Sequence, residues 1–148
     1  MSLITQILPP DNVLCCIDVD SKARLFEKVG LLFENNLQLP RKKVIDSLTA
    51  REKLGSTGLG HGIAIPHGRI KGLREATGAF VKLAAPIPFD APDGQPVGLL
   101  FILLVPEHAT DMHLQILGEL AQMFSNRQFR EKLQASSDSA EMHRLLTE

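Results

Sequence analysis

The stretch Val97–Val105, which reads VGLLFILLV, is the longest strongly apolar run in this chain of 148 residues. It is too short to cross a bilayer as a helix, because such a helix needs about 20 apolar residues. A short apolar run beside a turn segment is typical of a strand that is covered on both faces. The turn segment here is Phe89–Gln95, FDAPDGQ, in which proline and Asp-Gly favour a bend. We therefore predict that Val97–Val105 is the most deeply buried strand of a β-sheet.

Apolar periodicity predicts the elements around this strand. Short apolar runs predict three further strands, at Val13–Ile17, Ile63–Ile65 and Ala76–Leu83. Helical spacing predicts five helices: one from Ser21 to Asn35 and Asn36, one that begins at Pro40, one with Thr110 as its N-cap, and two around Phe129–Leu133 and Glu141–Leu146. In this prediction helices and strands alternate. The fold class is then α/β, one sheet covered by helices, in a single domain that spans residues 1–148.

The composition excludes several functional classes. The formal net charge is −1 and there is no long basic run, so the chain lacks the positive surface expected of a nucleic-acid-binding protein. Met1–Leu8 has neither the charged leader nor the long apolar segment of a secretory signal, which predicts a cytoplasmic protein. The only cysteines, Cys15 and Cys16, are adjacent, which is too close for a relaxed disulfide. We expect both thiols to act as small apolar side chains.

The stretch Arg51–Arg69, REKLGSTGLGHGIAIPHGR, holds the residues that suggest chemistry. His67 follows a short apolar strand and a proline. Imidazole is a nucleophile near neutral pH, although a lone histidine after a strand is more often a structural hydrogen-bonding group. Arg51 follows Val44 and Leu48 on the apolar face of the second helix, where it either complements the helix dipole or points toward a site on the core side. Arginine beside histidine suits the binding of a phosphoryl group.

A glycine-rich turn occupies the middle of this stretch, at Gly58, Gly60 and Gly62. No lysine follows the glycines, and the order helix, loop, strand is the reverse of that in nucleotide-binding loops, so nucleotide binding is not expected. The glycines form either a tight turn or a concave set of N–H groups that binds an anion beside His67. Ser56 and Thr57 are possible phosphate contacts through their hydroxyl groups.

A second histidine, His113, lies in the first turn of the helix that follows the buried strand. Apolar residues, among them Leu117 and Leu120, follow it at helical spacing, so His113 stands at the rim of the core-facing side. Helix N-termini attract anions, and ligands often bind at the carboxyl ends of strands. We therefore predict that His67, Arg51 and His113 share one anionic site.

The other histidines and Arg69 give weaker signals. We expect His61 and His108 to be solvated loop residues and His143 to be exposed in a C-terminal helix. Arg69 could help to attract a phosphorylated partner, but we expect it to be a bystander on the surface. The histidines have no HxxxH spacing and no cysteine cluster beside them, so we expect no metal and no cofactor.

Three segments together resemble one known family: Arg51–Arg69, FDAPDGQPVGLLFILLVP at Phe89–Pro106, and HLQIL at His113–Leu117. From Ile7 to Leu146 the chain resembles the IIA proteins of the bacterial phosphoenolpyruvate-dependent phosphotransferase system (PTS). The resemblance is to the fructose/mannitol type, and within it to the nitrogen-regulatory branch. The segment GIAIPHG is its most specific part.

The resemblance implies a phosphoryl carrier whose mixed sheet is flanked by helices. In the family, the histidine of the IPHG motif accepts a phosphoryl group from a histidine-phosphorylated, HPr-like protein, and His67 matches this histidine. Arg51 and His113 match two family residues that lie beside the phosphoryl group. No metal takes part in such a transfer.

The resemblance leaves the branch of the family open. The chain has neither a IIB cysteine domain nor a membrane segment, which favours a regulatory protein, linked to nitrogen or potassium. A free, sugar-specific IIA that passes its phosphoryl group to a separate IIB is the alternative. From another functional class, a non-catalytic module that binds a small anion or a partner would use the same residues. The reactive nitrogen of His67 is not determined by the sequence.

Overall fold

In the computed structural model of the chain, which describes residues 3–108 and 111–148, the described strands form one sheet with helices on both faces. The strands are β1 (Val13–Ile17), β2 (Gly58–Gly60), β3 (Ile63–Ala64), β4 (His67–Ile70), β5 (Thr77–Ile87) and β6 (Val97–Pro106). The helices are α1 (Leu3–Ile7), α2 (Lys22–Leu37), α3 (Arg41–Lys53), α4 (Asp111–Ser125), α5 (Arg127–Ala135) and α6 (Ser139–Thr147).

The sheet is built around β6. Strand β5 pairs with it antiparallel on one side, and β3 and β4 both pair with it parallel on the other. Strand β1 lies parallel to β5 at one edge, and β2 lies antiparallel to β3 at the opposite edge. Every residue of Val97–Val105 is buried, because helices cover both faces of the sheet. The predicted buried strand is confirmed, and the sheet is mixed.

Strands β3 and β4 follow a single register along β6 and are interrupted at Pro66. Ile63 is paired with Leu99 and His67 with Leu103, so the offset between the strands is the same on both sides of the interruption. Proline has no N–H to donate to a ladder, while its carbonyl oxygen accepts from the N–H of Leu103 at 2.9 Å. His67 is therefore the first residue of a new strand, held in place by the central strand.

The helices begin where the sequence predicts but do not all end there. The side chain of Ser21 accepts a hydrogen bond from the N–H of Arg24 and caps α2. The helix continues to Leu37, beyond the predicted end, because Gln38 is the residue that takes the left-handed conformation. Helix α3 begins after Pro40, as predicted. The predicted cap at Thr110 lies outside the described residues.

The predicted alternation of helices and strands is wrong. Five strands follow one another between α3 and α4. Three of them, β3, β5 and β6, were predicted, whereas β2 and β4 are too short to give a periodic signal. The predicted strand at Ala76–Leu83 begins at Thr77 and extends to Ile87. The two short predicted helices are confirmed within the longer α5 and α6. Among the described helices, none is long and apolar enough to cross a membrane.

Gly68 allows α3 to lie directly against β4. A Cβ atom at this position would overlap Oγ of Ser47 and would stand 3.3 Å from the backbone carbonyl carbon of the same residue. The hydroxyl of Ser47 in turn donates a hydrogen bond of 2.9 Å to the carbonyl oxygen of Arg69. Since Arg51 lies one turn further along α3, this contact sets the distance between Arg51 and His67.

We expect Gly68→Ala to lower the free energy of unfolding by about 1–3 kcal/mol, because the added methyl group must push α3 away from β4. Urea denaturation measures the loss, and adding Ser47→Ala should restore part of it by removing the overlapping hydroxyl. The matched control is Gly118→Ala on α4, where a Cβ meets nothing within 4 Å. If Gly68→Ala is as stable as the control, the close contact does not limit this position.

Candidate functional site

Two hydrogen bonds fix the tautomer of His67. Its Nδ1 lies 2.8 Å from the carbonyl oxygen of Ile65, which can only accept, so Nδ1 carries the proton. The Nε atom of Arg51 lies 3.3 Å from Nε2 of His67, and a guanidinium can only donate, so Nε2 holds the lone pair. The imidazole is therefore neutral, and Nε2 is its nucleophilic nitrogen.

Arg51 reaches His67 from the last turn of α3. Its Nη1 donates a 2.8 Å hydrogen bond to the carbonyl oxygen of Gly55, which leaves the Nε–H directed at the imidazole. At the C-terminal end of the helix this cation also complements the helix dipole. Both interpretations of Arg51 from the sequence therefore apply to the same side chain.

His113, near the start of α4, brings a second imidazole to the first. The ring centroids of His67 and His113 lie 5.3 Å apart, and the planes are inclined at 66°. Nε2 of His113 is buried and has no hydrogen-bond partner among the described residues. A buried polar atom without a partner costs about 1–3 kcal/mol, which a ligand at this point would recover. The structure thus brings Arg51, His67 and His113 together.

Arg69 also belongs to this site, which corrects the expectation that it is a bystander. An open pocket of about 570 Å³ is lined by Arg69 together with Arg51, His67 and His113. Alternation along β4 places Arg69 on the same face as His67, and its Nη1 donates a 2.8 Å hydrogen bond to the backbone carbonyl of Glu107. The two-residue spacing between His67 and Arg69 would have placed both side chains on one face of a strand, but β4 was not predicted from the sequence.

The glycine-rich turn does not line this pocket. His61 and Gly62 form the two-residue turn between β2 and β3, with φ values of 56° and 79°. Two successive positive φ angles are the mark of a type I′ hairpin. The N–H of His61 donates to the carboxylate of Asp93 at 3.0 Å. The prediction that the glycine N–H groups hold an anion beside His67 is wrong, and the tight-turn alternative is confirmed.

Ser56 and Thr57, the possible phosphate contacts, have internal partners. The hydroxyl of Ser56 donates to the carbonyl oxygen of Phe89 at 2.8 Å. Thr57 is buried, and its hydroxyl donates to the carboxylate of Glu52. Neither residue lines the pocket that contains His67, so the structure does not bring them to the other site residues.

Glu52, whose carboxylate holds the turn after α3, was not predicted from the sequence. Its side chain is only 5% exposed and accepts hydrogen bonds from Nζ of Lys22 at 2.9 Å and from the N–H of Thr57 at 3.2 Å. The same turn contains Gly55, whose carbonyl oxygen binds Arg51. The available signal was an acidic residue in the last turn of a helix, which the dipole disfavours unless a cation pairs with it.

Electrostatics keep both imidazoles neutral. Burial lowers the pKa of His67 below its usual value of about 6.5, and the Arg51 guanidinium lowers it further, although the hydrogen bond to Ile65 opposes these effects. Burial also lowers the pKa of His113, with smaller contributions from His67 and Arg69. Near neutral pH the site therefore contains two neutral rings and two guanidinium groups.

Such a site suits a dispersed negative charge. A neutral Nε2 can attack an electrophile, and two cations with a second imidazole can stabilise oxygens that gather charge around it. In the part of the chain that the structure describes, no group of three or more His, Cys, Asp or Glu side chains is arranged to hold a metal ion. The site's own groups thus fit phosphoryl chemistry.

A family model described as "Phosphoenolpyruvate-dependent sugar phosphotransferase system, EIIA 2" matches residues 6–148. The chain belongs to this family. The resemblance stated from the sequence is therefore confirmed.

Individual members of the EIIA family match almost the whole chain. The nitrogen regulatory protein of Pseudomonas aeruginosa is 40% identical, over 100% of this chain and 97% of that protein. The nitrogen regulatory protein of Escherichia coli is 41% identical, over 98% of this chain and 90% of that protein. The crystal structure of the nitrogen regulatory protein IIA-Ntr from Neisseria meningitidis is 53% identical, has a TM-score of 0.93, and the match covers 99% of this chain and 100% of that one. The predicted fold class is confirmed.

The lowered pKa values predict how stability depends on pH. Because the folded state disfavours protonation of His67 and His113, the unfolded chain binds more protons below about pH 6.5, and the free energy of unfolding falls as pH decreases through this range. We expect the double variant His67→Gln, His113→Gln to lose less stability than the wild type between about pH 7.5 and about pH 5. Urea denaturation at several pH values measures both slopes. If the free energy of unfolding depends on pH equally in the wild type and the double variant, the two rings do not contribute to the pH dependence of stability.

Proposed function

We propose that this chain is a phosphoryl carrier of a phosphoenolpyruvate-dependent phosphotransferase system, and that it accepts the phosphoryl group on Nε2 of His67 from an HPr-like phosphohistidine protein. The observation that carries the proposal is the fixed tautomer of His67. With the Nδ1 proton bound to Ile65 and the lone pair on Nε2, the ring needs no proton transfer before it attacks.

In the transfer step, the Nε2 lone pair attacks phosphorus in line with the leaving nitrogen of the donor histidine. The new N–P bond forms as the old one breaks, and the donor imidazole keeps the electron pair. The transition state is loose, so positioning and charge stabilisation provide most of the catalysis. Arg51 and Arg69 neutralise the equatorial oxygens, and Nε2 of His113, which has no described partner, donates to one of them.

We infer a regulatory role for the carrier, linked to nitrogen, because the relatives matched along the whole chain are named nitrogen regulatory proteins. Phosphorylation adds about 1.5–2 negative charges to the pocket at neutral pH, by analogy with phosphate esters. A target protein that binds this face then distinguishes the two forms. A sugar-specific IIA would instead pass its phosphoryl group to a separate IIB.

Exposed apolar side chains surround the pocket and form a surface for the donor. Among the described large apolar residues, the three most exposed are Leu54 at 85%, Leu114 at 69% and Met112 at 49%. Leu54 lines the pocket, and the other two flank His113 on α4. We call these three residues the apolar rim. A partner that must bring a phosphohistidine to Nε2 of His67 contacts this rim at the same time.

The proposed chemistry predicts a covalent product on one residue. Incubation with phosphoenolpyruvate, enzyme I and an HPr-like carrier should add one phosphoryl group that is labile in acid, as intact mass spectrometry measures. His67→Ala should gain none. Arg51→Ala and His113→Gln should remain folded and accept the group about 100-fold more slowly, because each removes one group that stabilises the transferring phosphoryl.

The alternatives give different results in the same assay. A non-catalytic anion-binding module would bind phosphate reversibly and gain no mass, which would end the carrier proposal. Phosphorylation of His67→Ala would show that a residue other than His67 accepts the phosphoryl group. Rapid loss of the phosphoryl group to an added IIB of the fructose or mannitol class would favour the sugar-specific alternative over the regulatory one.

The apolar rim predicts a defect in donor binding that is separate from chemistry. Leu54→Gln should lower the rate about tenfold at low donor concentration, which corresponds to about 1.4 kcal/mol of lost binding. The rate at saturating donor should be unchanged. The control is Leu31→Gln on α2, at a residue that is 38% exposed and does not line the pocket. An equal effect of both substitutions would show that the rim does not contact the donor.

A further inference from the structure

Cys15 and Cys16, on the edge strand β1, form a close pair of thiols that the phosphoryl site does not use. Cys15 is half-buried and packs against the core beneath α4 and α6, whereas Cys16 is exposed. The expectation that both act as small apolar side chains is therefore wrong for Cys16. Neither cysteine lines the pocket around His67.

An irregularity in β1 brings the two sulfur atoms together. Adjacent residues of a regular strand point to opposite faces, which would separate the thiols. Between Leu14 and Ile17, however, three steps along β1 match two steps along β5, from Val81 to Leu83, and Cys16 has a φ of 64°. The extra residue is a β-bulge, and the Sγ atoms of the pair lie 2.6 Å apart in a hydrogen bond.

The surroundings give the two thiols different roles. Burial raises the pKa of Cys15 to about 11, with further contributions from the hydrogen bond and charge of Cys16 and from Asp138, while the ammonium group of Lys82 opposes them. Cys15 therefore keeps its proton near neutral pH. Since Cys16 is the exposed member, it is the thiol that an external reagent meets first.

We propose that Cys15 and Cys16 are a vicinal dithiol, a modification site that low-molecular-weight disulfides oxidise to an intramolecular disulfide. The contact between the sulfurs and the exposure of Cys16 support this site. Adjacent Cα atoms lie about 3.8 Å apart, which is closer than in most disulfides, so the closed form is easily reduced. The site is independent of the phosphoryl chemistry, because β5 and β6 separate β1 from β4.

The oxidation takes place in two exchange steps. The thiolate of Cys16 attacks one sulfur of the small disulfide, forms a mixed disulfide and releases one thiolate. Cys15 then gives up its proton to solvent and attacks the sulfur of Cys16, which releases the second thiolate. Two protein thiols and one small disulfide thus become one protein disulfide and two small thiols, and the small disulfide takes up the two electrons.

Treatment of the intact protein with excess oxidised glutathione tests the proposal. After an acid quench, non-reducing mass spectrometry should show a wild-type product that has lost two hydrogens, and dithiothreitol should restore the original mass. Cys15→Ser should stop at a stable glutathione adduct on Cys16, because no second thiol is present to displace it. Cys16→Ser should form the adduct more slowly, since Cys15 is shielded.

Two results would overturn the proposal, and both come from the wild-type protein. One is a glutathione adduct that persists as it does in Cys15→Ser, which would show that the ring does not close. The other is two thiols that stay unmodified. Circular dichroism of each variant checks that the substitutions leave the fold intact. The wild-type experiment does not depend on the variants.

Discussion

The hydrogen bond between the Ile65 carbonyl and Nδ1 of His67 is the constraint on which the site depends. It spans two residues and arises where Pro66 interrupts the parallel strand beside β6. Because a carbonyl oxygen only accepts, this contact leaves the lone pair on Nε2, the nitrogen that faces Arg51. The position of the Ile65 carbonyl oxygen thus determines that Nε2 is the reactive atom of His67.

The other parts of the site rest on how closely the helices approach this strand. The absence of a side chain at Gly68 lets α3 lie against β4, and the carboxylate of Glu52 holds the turn that fixes Arg51. From the other face of the sheet, α4 brings His113 to within 5.3 Å of the first ring, measured between ring centroids. These contacts are made by the chain's own residues, and together they hold Arg51, His67 and His113 in one place.

Much of this arrangement could be predicted from the sequence, because the spacing of apolar residues predicts the elements that carry it. The buried strand β6 is a continuous apolar run, and Arg51 and His113 each stand at the end or rim of an apolar face, which pointed to a common location. Arg69 was misjudged because β4 is only a few residues long and gives no periodic signal. The tautomer of His67, the pairing of Glu52 and the contact of the glycine turn with Asp93 depend on tertiary contacts, which no local pattern encodes.

Identification of the phosphorylated nitrogen of His67 tests directly whether the Ile65 hydrogen bond determines the reactive atom. A ¹⁵N-labelled protein, phosphorylated by an unlabelled donor, can be examined by long-range ¹H–¹⁵N correlation NMR of its imidazole groups. We expect coupling of phosphorus to Nε2 of His67, with Nδ1 still protonated and bound to Ile65. Coupling of phosphorus to Nδ1 would contradict it, because the hydrogen bond that fixes the ring would then have to break for the chemistry to occur.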